Sequence, residues 1–250
     1  MAEAPDLTAP QSLILFDLDG TLTNPKLGIT SGVHHALEKL GIEAPSPDEL
    51  EFFIGPPMRL MFKQTYGLAE QEVDRAVQYY REYYDPIGWR QNEVYEGIPE
   101  ALKALRTAGF KLGLATSKPT VFAQRILDHF GLRDEFSVLA GSNLDGTRED
   151  KAEVIRYALA EAGFDIGSDS DSSDVLVEPQ VVNRAAFPVT MVGDRKYDII
   201  GAKRLGLRSV GVTYGFGSRE ELESAGADVI IDRPNQLVEA LLPAHQADDR

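Results

Sequence analysis

Two carboxylates one residue apart, Asp17 and Asp19, stand at the end of the apolar run Leu13-Ile14-Leu15-Phe16. A short, wholly apolar run predicts a parallel strand covered on both faces, and in open α/β sheets ligands bind beyond the carboxyl ends of such strands. Strand periodicity turns Asp17 and Asp19 toward the same side, where neither charge is expected to have an internal partner. Such a pair can serve as nucleophile, proton shuttle or metal ligand; alone, it would read as an acidic turn after an ordinary strand. It does not stand alone. A second apolar run, Val189 to Val192, ends in Gly193-Asp194, and Asp198 follows four residues later at a helix start. Four acidic groups are therefore expected at one crevice. Like charges so close raise one another's pKa unless a cation lies among them, and all-oxygen ligation favours magnesium. Leu112 to Lys118 reads as a further strand delivering the hydroxyls of Thr116 and Ser117, and Lys151 opens the helical segment 149–162. A hydroxyl, an ammonium and a helix N-terminus together suit a dianionic phosphoryl group.

With these residues assembled, the chain resembles the haloacid dehalogenase superfamily of phosphohydrolases, with all four motifs in order. Asp17-Leu18-Asp19-Gly20-Thr21 is similar to its first motif, Thr116 to its second, Lys151 to its third, and Gly193-Asp194 through Asp198 to its fourth. Phe53-Ile54-Gly55-Pro56-Pro57 and Val212-Thr213-Tyr214-Gly215-Phe216-Gly217 are similar to the phosphoglycolate phosphatase branch, which includes nucleotidases. The resemblance implies an α/β fold: a Rossmann-like parallel sheet core from residues 1–23 and 93–250, with a small α-helical cap domain inserted at 24–92. It also implies a magnesium-dependent phosphatase acting on a small phosphorylated metabolite, phosphoglycolate-like or a nucleoside monophosphate. Asp17 would attack phosphorus and become an aspartyl phosphate, while Asp19 would serve first as acid and then as base. The metal would be held by the Asp17 and Asp194 carboxylates and the Asp19 backbone carbonyl, with Asp198 as ligand or support. Thr116, Ser117 and Lys151 would bind the phosphoryl group. A phosphomutase and an inactive binding module are the alternatives; a dehalogenase needs neither the metal nor the second aspartate, and both Asp19 and Asp194 are present.

The elements that must position these residues are legible in outline. At 250 residues and 43% hydrophobic content, the chain can bury one α/β core plus a small accessory domain. Apolar strands near 110–116, 136–139, 188–192, 208–213 and 228–231 alternate with helical patterns, which predicts a parallel sheet. Residues 24–92 hold no convincing strand. There Ser46-Pro47-Asp48-Glu49 reads as a capping box, and Val73, Ala76, Val77, Tyr80 and Tyr84 recur at helical spacing over 69–84. Hinges are expected at Asn24-Pro25 and from Gly88 to Asn92.

A net charge of −15 argues against a nucleic-acid duplex as partner. It also repels an anionic substrate mildly, so Lys118, Lys151 and the metal must override it locally. No apolar run approaches membrane-spanning length, cysteine is absent, and residues 1–11 lack an export signal, so a cytoplasmic monomer or homodimer is expected.

Other features carry less. Asn143-Leu144-Asp145-Gly146-Thr147 echoes the first motif, yet it follows no apolar strand end and its asparagine is no nucleophile; it reads as a loop leading to Lys151. The segment with Asp169, Asp171 and Asp174 lacks the glycine and distal glutamate of a calcium loop and reads as a solvated insertion. His34 and His35 are expected exposed on a helix. Tyr79, Tyr80, Tyr83 and Tyr84 could line a substrate pocket or a dimer interface, but are assigned first to packing of the helical block. Phe53, Pro57 and Arg59 are the candidates for substrate selection, with Arg59 reaching toward a distal anion.

Overall fold

The computed structural model describes residues 12–164 and 189–242. The apolar run forms β1 (Leu13–Phe16). It leads through β2 (Thr23–Asn24) into a helical block: α1 (Lys26–Leu40), a 3-10 turn at Pro47–Phe53, α2 (Met58–Tyr66), α3 (Glu70–Tyr84) and a second 3-10 turn at Gly88–Arg90. The chain returns through β3 (Glu93–Val94), α4 (Ile98–Thr107), β4 (Lys111–Pro119), α5 (Thr120–His129), β5 (Val138–Ser142) and α6 (Lys151–Glu161). It ends with β6 (Val189–Gly193), α7 (Lys196–Arg204), β7 (Arg208–Val212), α8 (Arg219–Ala225), β8 (Val229–Ile231) and α9 (Leu237–Leu241).

Six strands form one parallel sheet in the order β5-β4-β1-β6-β7-β8. β1 lies between β4 and β6, with Leu13 level with both Lys111 and Val189. Because side chains alternate across a strand, Leu13 and Leu15 enter one core with Val154, Ile155 and Leu159 of α6, while Ile14 and Phe16 enter another with Leu102, Leu105 and Ile126. Each such side chain stabilises the fold by roughly 1.5 to 3 kcal/mol, so a slip of β1 is strongly disfavoured. β4 runs past its expected end at 116 to Pro119, because its register with β5 shifts between Ala115 and Pro119 and lets Pro119 pair with Ser142. The Ser142 hydroxyl donates to the Ser117 carbonyl at 2.8 Å and fixes that irregular edge.

β2 and β3 pair antiparallel, so the helical block leaves and re-enters through a two-residue ribbon next to the expected hinges. Within the block, α1 packs on α3, and Ser46 offers its backbone N–H to the Glu49 carboxylate, as in a capping box, while its hydroxyl donates to the same carboxylate; the turn it starts is 3-10, not α. His34 and His35 are half-buried rather than exposed, because each faces a glutamate, Glu38 and Glu82, at 3.6 Å. Among the described residues, no helix is long and apolar enough to cross a membrane. Asp169, Asp171 and Asp174 lie outside the described residues.

Candidate active site

The Asp17 N–H still donates to the Val192 carbonyl at 2.9 Å, so its side chain leaves from the last bonded position of the sheet. Beyond it the chain turns tightly. The Leu18 carbonyl accepts from the N–H groups of Thr21, Leu22 and Thr23 at 3.2, 2.9 and 3.0 Å. Gly20 adopts φ +84°, a conformation that costs L residues energy, and a Cβ there would collide with the Asp194 carboxylate. Glycine is thus required twice over, by conformation and by space.

Lys151 organises the charges. Its Nζ lies 3.1 Å from Asp17 Oδ1 and 2.8 Å from Asp198 Oδ1, and it donates to the Ala115 carbonyl at 3.1 Å. It is only 5% exposed. Burial alone would lower its pKa, but the Asp17 and Asp198 charges outweigh that and raise it. Asp150, the N-cap of α6, accepts from Ala152 and Glu153 and so starts the helix where Lys151 can point inward. The expectation that neither carboxylate has an internal partner is therefore overturned. Asp17 faces Lys151, and Asp19 Oδ2 lies 2.9 Å from Lys118 Nζ. Sequence spacing could not show this, because the partners arrive from β4 and α6 across long stretches of chain.

Asp19 stands apart from the other three acids. Its Oδ1 is buried without a hydrogen-bond partner, and burial raises its pKa against the pull of Lys118. Lys118 also donates to the Tyr84 hydroxyl at 2.5 Å and sits 4.8 Å from the centre of that ring. Tyr84, assigned to packing, thus brings α3 into direct contact with the second carboxylate's partner.

Asp17, Asp194 and Asp198 each present an oxygen within 4.8 Å of the others. Asp194 is fixed by the Phe216 N–H at 2.8 Å and by the Thr21 hydroxyl at 3.4 Å. Asp198 accepts from the Arg195 N–H at 3.1 Å, and a Cβ on Gly193 would collide with it. Burial, reinforced by Asp198 and Asp17, pushes Asp194 well above the usual carboxylate range. Burial likewise pushes Asp198 up to about 6, although Lys151 opposes the shift. Asp17 Oδ1 and Asp198 Oδ1 face Lys151 at ion-pair distance without an aligned hydrogen bond. Three buried acids against one lysine leave an excess of negative charge with unsatisfied oxygens, a donor set that fits a hard divalent cation.

The hydroxyl of Thr116, buried in the C-terminal half of β4, accepts from the Lys118 N–H at 3.3 Å. Beside Asp19, Ser117 and Lys118 opens a cavity of about 400 Å³, closed on other sides by α2, α3 and the loop 142–149. Phe53, Pro57 and Arg59 all line it. Arg59 is engaged within the helical block: Nη1 donates to Asp74 at 2.6 Å and Nη2 to Glu70 at 3.3 Å. The loop expected only to lead to Lys151 is also a wall of this cavity, because Arg81 donates to the Leu144 carbonyl at 2.8 Å and Arg59 packs near Gly146. Its many small polar residues gave a turn signal, but nothing in their spacing pointed across to α3. Arg195 donates to the Ile54 carbonyl, a further bridge to the helical block.

A family model described as haloacid dehalogenase-like hydrolase matches residues 14–212. The chain is similar to a 5′-nucleotidase of Pseudomonas aeruginosa, 46% identical over 211 residues, 84% of this chain and 86% of that protein. It is also similar to tyrosine-protein kinase PtkA of Mycobacterium tuberculosis, 36% identical over 222 residues, 89% of this chain and 68% of that one. A crystal structure from Clostridium acetobutylicum, described as a predicted phosphatase, superposes with a TM-score of 0.82 at 40% identity, covering 93% of this chain and 98% of that one. Phosphoglycolate phosphatases are among the other relatives matched.

Proposed function

The chain belongs to the haloacid dehalogenase-like hydrolase family, as a phosphatase of the phosphoglycolate phosphatase-like branch, and from that premise we propose that it hydrolyses a small phosphomonoester through a phosphoaspartate on Asp17. The substrate is of the phosphoglycolate or nucleoside monophosphate kind. The observation that carries the reading is the buried grouping of Asp17, Asp194, Asp198 and Lys151 at the strand ends, with a cavity opening beside Asp19.

Asp17, held by its backbone bond to the sheet, attacks phosphorus, and the bond to the leaving oxygen breaks. Asp19, next to the cavity, gives its proton to that oxygen; its raised pKa favours carrying one. It then takes a proton from the water that hydrolyses the phosphoaspartate. Lys151 and the Thr116 hydroxyl, with Ser117, orient and neutralise the transferring group. The Asp17 and Asp194 carboxylates and the Asp19 carbonyl, with Asp198 as ligand or support, would hold magnesium, which would supply the positive charge that lets a phosphoryl dianion approach these acids.

Residues 24–92 are proposed as a cap over a core of 1–23 and 93–250, closing the cavity against water, with Phe53, Pro57 and Arg59 shaping substrate choice. The test is phosphate release from p-nitrophenyl phosphate in magnesium by the wild type and Asp17→Asn. An amide of nearly the same shape is a poor nucleophile, so release should fall by at least about a thousandfold. Turnover within tenfold of wild type refutes the assignment.

A further inference from the structure

From the charge on the cavity wall beside Asp19, we infer that the site selects monoesters whose alcohol part is neutral, flat and of nucleoside size, with Glu149 rejecting a second anion. This deepens the phosphatase reading and rests on it. A substrate such as 2-phosphoglycolate carries a carboxylate at its far end and needs a cation there. The cavity holds three, and all are engaged. Lys118 lies on Asp19 and Tyr84, Arg59 is held by Asp74 and Glu70, and Arg81 is bonded to the Leu144 carbonyl. Facing them in the same wall are Asp74, Asp145 and Glu149. Asp145 is occupied by the backbone N–H and hydroxyl of Thr147. Glu149 forms no ion pair among the described residues, and the charges of Arg59 and Arg81 offset its burial only in part. An incoming anion therefore meets the Glu149 carboxylate, which has no ion-pair partner among the described residues, and no cation without a prior partner.

Size and surface favour the same class. A cavity of about 400 Å³ would be left mostly unfilled by a two-carbon alcohol. Phe53, Tyr80, Tyr84 and Phe122 line it with aromatic rings, against which a planar base can pack, while a ribose needs hydrogen bonds rather than charge.

The experiment compares kcat/KM for adenosine 5′-monophosphate and 2-phosphoglycolate, with p-nitrophenyl phosphate as a third substrate, in the wild type, Glu149→Gln and Asp74→Asn. The expected wild-type ratio favours the nucleotide by at least about tenfold. Glu149→Gln removes the repelling charge and Asp74→Asn loosens Arg59, so each should lower that ratio severalfold, mainly through a smaller KM for phosphoglycolate. Equal or better use of 2-phosphoglycolate by the wild type overturns the inference. So does a ratio unchanged in both variants, each shown folded by circular dichroism. No release from any of the three substrates would instead refute the phosphatase reading itself.

Discussion

Replacing Lys151 by methionine keeps the side chain out to Cε and removes the ammonium, leaving Asp17 and Asp198 without their shared cation. At about 3 Å and an effective dielectric of about 20, each ion contact contributes about 5 kcal/mol, set against several kcal/mol for desolvating the ammonium. Breaking a buried pair from one side usually costs about 3 to 5 kcal/mol, because the remaining charge has no compensation. For a chain of this size that corresponds to a fall in Tm of roughly 6 to 20 °C. Proton uptake by the abandoned carboxylates sets a ceiling on the loss. The assay is urea unfolding at pH 7 with chelator and again with excess magnesium. The loss should be full in chelator and smaller in magnesium, where a cation again lies among the acids, while turnover should be lost in both. Arginine should not substitute, since a planar guanidinium cannot reproduce the compact ammonium that meets Asp17, Asp198 and the Ala115 carbonyl together. A destabilisation below about 1 kcal/mol in chelator would refute the view that Lys151 is the structural counter-charge of the cluster.

Asp19→Asn should slow hydrolysis of alkyl phosphates more than that of p-nitrophenyl phosphate, whose leaving group needs little protonation; equal losses in steady-state rates would assign Asp19 a structural role. Chelation should abolish phosphate release, and calcium should fail to restore it, because calcium takes more ligands at longer distances; full activity in excess chelator would contradict the metal assignment. Gly20→Ala should destabilise by about 2 to 4 kcal/mol, from the left-handed φ and the collision with Asp194, and an unfolding midpoint unchanged from wild type would show that the turn can relax.

The sheet was legible because its strands are apolar and short, so β1 falls where the run of Leu13 to Phe16 predicts it. The ends of β4 were not, since the slip of register at Pro119 depends on what β5 offers beside it. Local capping was legible at Ser46 and Glu49, whose partners are three residues apart. Long-range pairing was not. Lys118 reads as the end of a strand, and only the fold brings it between Asp19 and Tyr84. Arg59 has the right residue type for an anion, yet its two carboxylate partners lie on the next helix at positions any exposed helix could carry. The loop 142–149 shows the same limit, since its role as a wall follows from α3 lying opposite.

The central placement of β1 has a consequence for how the chain is made. It is synthesised before the other five strands of its sheet, yet Leu13 pairs with Lys111 on one side and Val189 on the other. At about 5 to 20 residues per second, translation leaves this apolar segment waiting roughly 5 to 20 s for its first neighbour and about 9 to 35 s for its second. Helices α1 to α3 emerge in that interval, and their mutual contacts are local enough to form early. Until residue 111 emerges, the nascent chain therefore carries an apolar strand with neither of its sheet neighbours, an exposed segment of the kind that favours aggregation or chaperone capture.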